Sequence, residues 1–509
     1  MTSPARRLRP VGSARVAAVL ESVLLAGAAA SVALFAVVRP PVSDLFAAWA
    51  REHAARAGVG LGYWFGWFDG TVPGHYSVLA PSITAAFGSV AVAAVSAGAA
   101  TALTWWALRP ASHRTAAFAV AGVAVTANLW SGRVAFLAGS VFALLAVLAV
   151  QRARPGVAAT AAAVAALITP TCAAFLVVGL AGTVLFDRGR RAAALASWGG
   201  AGLPLLGVLL VFGSPGPEGF RGRDAVTAIL AALLLCGLPT PRRIRVVAAF
   251  AVVVCACVAV VPNGVGSNFQ RFIWFVLPVV CVATAPTRRM LAYGAATFAL
   301  ALAWHVTYRD LSVATDPASS PAFYDRLIDR LDTLDLRNTR VETVYDGTRT
   351  AAYALLGHAQ LARGWETQSD KRYNGILNDA GLDAASYRRW LDDNAVGYVV
   401  QTRRPVIAHA EDRLIREHRP GYLRLVWQDS GLMLYAVADP TPIVAAPASV
   451  VGATESVLSI RVPSAARVLV RIRWSPLLEA AGGRVSESGR GWVVLATSAA
   501  CECRLSGRI

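Results

Sequence analysis

Between Val16 and Tyr308 the chain is a succession of apolar runs separated by short polar breaks, and beyond Tyr308 that pattern stops. A membrane-crossing helix takes about 20 apolar residues, and shorter ones occur inside packed bundles. Runs near 16 to 38, 77 to 108, 115 to 130, 134 to 150, 157 to 168, 171 to 186, 192 to 212, 225 to 238, 246 to 262, 272 to 286 and 290 to 308 qualify. They predict an α-helical polytopic membrane protein with about 11 spans in residues 1 to 308. Thr169-Pro170-Thr171 breaks one apolar stretch in two, because proline neither continues a helix nor lets its predecessor do so easily.

Past Tyr308 two periods alternate. The segments PAFYDRLIDRLDTL and LDAASYRRWLDDN have helical spacing, the second with Asp383 placed to cap it, and VETVY, VGYVVQ, LRLVWQ and LMLYAV read as strands. Leu423 to Gln428 and Leu432 to Val437, joined by Asp429-Ser430-Gly431, form an expected hairpin. The division predicted is a membrane domain over 1 to 308, an α/β domain over 309 to 440, and a β-rich, sandwich-like segment over 441 to 509 built on VLSIRV, RVLVRIRW and WVVLAT.

Charge sharpens this division. Of 48 Lys and Arg, 23 precede Tyr308, against 7 of the 30 Asp and Glu, so +16 of the net +18 lies in the apolar part. With the N-terminus inside, Arg109 and Arg114, Arg152 and Arg154, Arg188 to Arg191, Arg242 to Arg245, and Arg288 with Arg289 fall in cytoplasmic loops, as the positive-inside rule asks. Positive charge so placed orients helices, and nucleic acid is not an expected partner. The basic start leads into an apolar run too long for a secretory signal, so the first run reads as an anchor. An odd number of spans then puts the C-terminal domain outside a bacterial cytoplasmic membrane. Five of the seven cysteines lie in apolar runs, and Cys501 and Cys503 stand too close for an ordinary disulfide.

The chemistry-bearing residues concentrate in Ser43 to Pro81, between the first two runs. Asp44 follows Pro40 and Pro41, which end the first helix at the membrane boundary, where a carboxylate meets lipid head groups. The competing reading is a solvated loop aspartate or a helix cap. Trp64 and Trp67 suit interfacial anchoring, but Asp69, His75 and Tyr76, spaced by glycines and proline, suggest a shaped loop with rings able to stack on a sugar. Arg133, Arg221, Arg223 and Arg271 fall on the same predicted side, where a guanidinium either snorkels or clamps a phosphate. Further on, Arg363, Trp365, Glu366, Asp370, Lys371 and Tyr373 make a polar-aromatic cluster suited to a glycan or to a domain core.

With DLFAAWA and PGHYSVLAP in that loop, the Thr169-Pro170 break, SGR at 131 to 133 and NFQRF before the tenth run, the sequence resembles the GT-C superfamily of integral-membrane glycosyltransferases. The resemblance implies transfer of a sugar from a polyprenyl-phosphate donor to a glycan or lipid acceptor outside the membrane. It implies Asp44 as the general base, Arg133 or Arg271 on the donor phosphate, and Asp69, His75, Trp67 and Tyr76 on substrate. Asp69 is also the candidate for a divalent cation, although no DxD pair accompanies it.

Two other classes fit the composition: a transporter or flippase for a lipid-linked envelope precursor, and a non-catalytic envelope scaffold. The first would place ionisable groups near mid-membrane, whereas Glu21 is the one acid within a run and lies near its end.

Overall fold

A computed structural model of the chain describes residues 11–237, 240–285, 289–406 and 409–509. Arg6, Arg7, Arg9, Arg288 and the expected span ends at 238 and 286 lie outside these.

The apolar part folds into helices α1 (Val11–Val38), α2 (Ser43–Arg56), α3 (Ala80–Phe87), α4 (Ser89–Ala107), α5 (Arg114–Trp130), α6 (Val134–Gln151), α7 (Pro155–Ile168), α8 (Pro170–Phe186), α9 (Arg191–Phe212), α10 (Gly222–Cys236), α11 (Arg242–Val260), α12 (Leu277–Thr284) and α13 (Arg289–Val313). Among the described residues six helices are long and apolar enough to cross a membrane: Arg15–Val38, α4, α6, α9, α11 and the continuous turn-and-helix stretch Gly266–Thr284. Helices α7 and α8 are apolar but shorter, at 14 and 17 residues. Six strong spans therefore stand where eleven were expected, since packing inside a bundle lets the other helices be short or polar.

Three local departures matter. The run 77 to 108 divides into α3 and α4 at Gly88, whose φ of 82° few other residues adopt. The carboxylate of Glu52 then takes the free N-terminus of α4, accepting from the Ser89 amide at 2.7 Å and the Ser89 hydroxyl at 2.6 Å. Ser43 to Arg56, the first part of the expected loop, forms α2, with Val42 rather than Asp44 at its N-cap. Helix α13 runs past Tyr308 to Val313, carrying Arg309 and Asp310 on its last turns.

The helices pack through small residues. A Cβ on Gly200 of α9 would lie 2.2 Å from the Ala159 carbonyl oxygen of α7, so these two helices touch backbone to backbone, as small residues permit in membranes. Thr169 and Pro170 end α7 and start α8. The C-terminal end of α7 receives the returning loop: Ser77 Oγ donates to the Ile168 carbonyl at 2.7 Å, and the Val78 amide to Leu167.

The C-terminal part matches the expected periods. Strands β1 (Arg340–Thr343), β2 (Val396–Thr402), β3 (Leu423–Gln428) and β4 (Leu432–Val437) form one sheet in the order β1-β2-β4-β3, with β1 parallel to β2 and the β3–β4 hairpin antiparallel. Helices α14 (Asp325–Leu331), α15 (Ala351–Ala354), α16 (Thr367–Asn374) and α17 (Ala384–Asp393) accompany it, and Asp383 closes a capping box with Ser386. Beyond it lie β5 (Ser449–Ala453), β6 (Val457–Val462), β7 (Ala466–Arg473), β8 (Leu478–Ala481), β9 (Arg484–Glu487), β10 (Trp492–Thr497) and β11 (Cys501–Gly507). They make sheets β7-β10-β9 and β5-β6-β11-β8 around one apolar core. Contrary to expectation Cys501 and Cys503 are disulfide-bonded. Alternate residues of a strand project from the same face, so the i, i+2 spacing brings two thiols together rather than apart.

Candidate functional site in the cavity beneath the C-terminal domain

The connections after α1, α5, α7, α9 and α11 and the end of α13 gather at one end of the bundle. The α/β domain covers that end, and between them lies a cavity of about 440 Å³. Its lining includes Asp44, Arg51, His75, Tyr76, Arg133, Glu218, Arg271, Arg309 and Asp310 from the apolar part of the chain, and Arg349, Trp365 and Glu366 from the α/β domain.

Asp44 sits in the first turn of α2, just past Pro40-Pro41, with Val42 as the N-cap residue. The aspartate is therefore not consumed as a cap. Its Oδ2 lies 3.2 Å from Arg133 Nε and 3.7 Å from an Arg271 terminal nitrogen. Arg133 is buried and makes two further hydrogen bonds: it donates to Asp310 at 2.9 Å and to Asn128 at 3.1 Å. Arg271 is more exposed, and Asp44 is its one carboxylate partner among the described residues. Asp44 thus faces two cations, one tied to three partners and one with most of its donors to spare.

On the cavity's other wall a buried carboxylate ties bundle to domain. Glu366 accepts from Arg51 of α2 through Oε1, and its Oε2 lies 2.9 Å from His75 Nε2 and from Ser369 Oγ. Burial alone would raise the Glu366 pKa, but His75 and Arg51 outweigh it and hold the carboxyl well below its usual range. The Arg51 guanidinium stacks 3.7 Å from the Tyr76 ring centroid. Burial pushes the Tyr76 phenol up, against the pull of Arg51. Trp365 Nε1 donates to Ser43 Oγ at 2.8 Å, one residue from Asp44. Glu218, on the α9–α10 connection, has its pKa raised by burial, with Lys371 opposing.

The cavity brings together Asp44, His75, Tyr76, Arg133 and Arg271. Asp69 and Trp67 lie apart from it. Asp69 is buried between Arg340 of β1, at 3.3 Å, and Arg473 of β7, at 3.0 Å. Trp67 is completely buried and donates to the Ala352 carbonyl at 2.8 Å. The aromatic loop Tyr63 to Phe68 is thus a plug that locks both C-terminal units onto the bundle, and its rings are not open to a sugar. Tyr63 Oη donates to the Arg473 carbonyl at 2.6 Å, the Leu361 amide to the Gly66 carbonyl, and Trp64 Nε1 to Glu455. Arg221 and Arg223 also lie outside the cavity lining.

No protein-family model matches the chain, and no curated protein resembles it closely enough to count as a match. The site therefore stands on its own geometry. Among the described residues no group of three or more His, Cys, Asp or Glu side chains is placed to hold a metal ion.

Sequence reasoning missed Asp310 and the roles of Arg51 and Glu366. Arg51 and His75 both fall in Ser43 to Pro81, where the chemistry-bearing residues concentrate, and that was a signal. Asp310 was hidden because the last apolar run was ended two residues before it.

The cluster around Glu366, suited by sequence to a glycan or to a domain core, divides in two. Glu366 and Trp365 reach the cavity, while Arg363 turns inward to Asp370 at 2.7 Å and Glu411 at 3.1 Å in the core of the α/β domain.

Proposed function

We propose that the protein is a GT-C-like membrane glycosyltransferase, moving a sugar from a polyprenyl-phosphate donor to a glycan or lipid acceptor at the outer face of a bacterial cytoplasmic membrane. The observation that carries this reading is the carboxylate of Asp44 set beside Arg271 in a cavity bounded by membrane helices below and a folded domain above. The arginine-rich connections at the bundle's other end favour a cytoplasmic location for that end, which leaves the cavity outside. The Cys501–Cys503 disulfide is at home in an oxidising compartment.

In this reading the donor's chain stays in the bilayer and its phosphate meets Arg271, whose guanidinium offers a planar pair of donors. The acceptor hydroxyl enters from the domain side. Its oxygen bonds to the sugar's anomeric carbon as the bond from that carbon to the phosphate oxygen breaks. Asp44 takes the hydroxyl proton, and the polyprenyl phosphate leaves with the electron pair, its charge held by Arg271. Arg133, already bonded to Asp44, Asp310 and Asn128, acts as a positioning residue for the carboxylate. Coupled transport draws less support: Glu21 is paired with Arg114 at 2.8 Å and takes Trp105 Nε1 at 2.9 Å.

The test is transfer of label from polyprenyl-phosphate-linked hexoses and pentoses in membranes bearing the parent protein or Asp44→Asn. A general base contributes about 10²- to 10⁴-fold, so the variant should lose transfer by a hundredfold or more while remaining folded and inserted. Full transfer by Asp44→Asn would sink the reading.

A further inference from the structure

A second, larger cavity, of about 880 Å³, lies inside the bundle and belongs to none of the chemistry above. It begins among the connections at the end remote from Asp44, where Arg109, Arg152, Arg190 and Arg243 surround its mouth. From there it follows α6 as far as Phe136, between walls from α5, α8, α11 and α12 that are almost wholly apolar. At 1.5 Å per helical residue, Gln151 to Phe136 is about 22 Å, longer than one leaflet's half of a hydrocarbon core of about 30 Å.

Among the described residues, Phe136 is the one that lines both cavities. Its ring lies 5.8 Å from the Arg271 guanidinium and 5.8 Å, edge to face, from Phe175. It closes the inner end of the apolar chamber against the polar cavity.

The mouth carries more positive charge than it neutralises. Four arginines meet one carboxylate, Asp187, which pairs with Arg190 at 2.9 Å and approaches Arg243 at 3.9 Å. Among the described residues neither Arg109 nor Arg152 pairs with a carboxylate. Each instead lies over the Trp106 ring, at 5.3 and 4.9 Å, a contact that holds a guanidinium in place while leaving its N–H groups for another acceptor. A slot with an apolar interior and an unneutralised cationic rim matches an amphiphile with an anionic head. Water or a free anion would satisfy only one end.

We propose that this chamber is a binding site for an anionic phospholipid of the leaflet on the arginine side, with its phosphate between Arg109 and Arg152 and one acyl chain reaching to Phe136. The site is distinct from the donor site and does not depend on the glycosyl-transfer reading. A bound chain would pack the ring that backs Arg271, so the lipid would also stiffen the floor of the polar cavity.

Native mass spectrometry of the full chain, released from nanodiscs of equal phosphatidylglycerol and phosphatidylcholine, tests this directly. One phosphatidylglycerol should remain bound in preference to phosphatidylcholine. Each arginine near a lipid surface is worth about fivefold in affinity, so Arg109→Gln with Arg152→Gln should weaken retention about 25-fold and erase the preference. Ala143→Trp, filling the chamber midway, should expel the lipid with the arginines intact, with thermal melting verifying the fold of both variants. Soluble glycerol phosphate should not displace it. Equal retention of the two lipids, an unchanged preference in the double arginine variant, or displacement by glycerol phosphate would each overturn the proposal.

Discussion

Arg51 and Glu366 are 315 positions apart and form a buried ion pair that joins α2 to the α/β domain. Each side chain is less than a tenth exposed, so removing Glu366 leaves Arg51 a buried charge without a carboxylate, and removing Arg51 leaves Glu366 only His75 as a cationic partner. Truncating one partner of such a pair typically costs about 3–5 kcal/mol, whereas replacing both with apolar residues can be nearly neutral. Glu366→Gln or Arg51→Met alone should lower the melting temperature sharply, and Arg51→Met with Glu366→Met should recover most of the loss. The pH dependence has a defined sign. The folded pKa of Glu366 is depressed, so its stabilisation is present above the ordinary carboxylate value near 4.3 and is lost as pH falls toward the lower folded value. Melting curves of the parent should fall between about pH 4 and lower pH more steeply than those of Glu366→Gln.

Trp67 and Asp69 should behave as parts of the fold. Large-to-small replacement of a buried aromatic costs about 3–5 kcal/mol, and Trp67→Ala should loosen the C-terminal units from the bundle. Limited proteolysis would then cut near the loop. Asp69→Asn leaves Arg340, which is fully buried, without its counter-charge and should destabilise by a similar amount. If either variant kept its stability and lost only affinity for acceptor, the assignment of these residues to packing would be wrong.

The core of the α/β domain holds a cluster that makes the opposite pH prediction. Glu342 of β1 is fully buried, neither of its oxygens meets a hydrogen-bond donor among the described residues, and its nearest cation is Arg363, 3.5 Å away. Burial, then the Glu411 charge, push its pKa well up, against Arg363. A raised carboxylate pKa means that the folded state keeps a proton the unfolded chain gives up, so stability falls as pH rises through the folded value. Glu342→Gln is uncharged at every pH and supplies its own donors. It should match the parent in mild acid and exceed it by about 1 kcal/mol or more at pH 8 in chemical denaturation.

Much of this fold was written in local patterns. The helices of the bundle follow apolar runs, and the hairpin at Asp429-Ser430-Gly431, the Asp383 cap and the break at Thr169-Pro170 each depend on residues within a few positions of one another. Asp44 was legible for the same reason, since Pro40 and Pro41 fix where α1 stops. Asp69 and Trp67 were misplaced because their partners, Arg340, Arg473 and Ala352, are hundreds of residues away, and an aromatic loop looks alike whether it meets a sugar or a second domain. The disulfide was missed by judging Cys501 and Cys503 on sequence distance instead of strand geometry.

The two arginines beside Asp44 should separate by experiment. Arg133 is buried and divides its donors among Asp44, Asp310 and Asn128, an arrangement that needs the planar fork of a guanidinium, so Arg133→Lys leaves partners unsatisfied in a low-dielectric site. It should lose about 3 kcal/mol of stability and most transfer activity together. Arg271 is more exposed and, among the described residues, approaches one carboxylate at 3.7 Å, beyond hydrogen-bond length, so it contributes less to the fold than Arg133. Arg271→Ala should therefore leave melting almost unchanged while raising the donor KM at least tenfold, the amount expected from losing a charge-assisted bond to phosphate. Measuring KM against kcat for both variants decides the assignment. If Arg271→Ala changes neither, the donor phosphate is held elsewhere, and Arg309 and Arg349, which also line the cavity, become the residues to test.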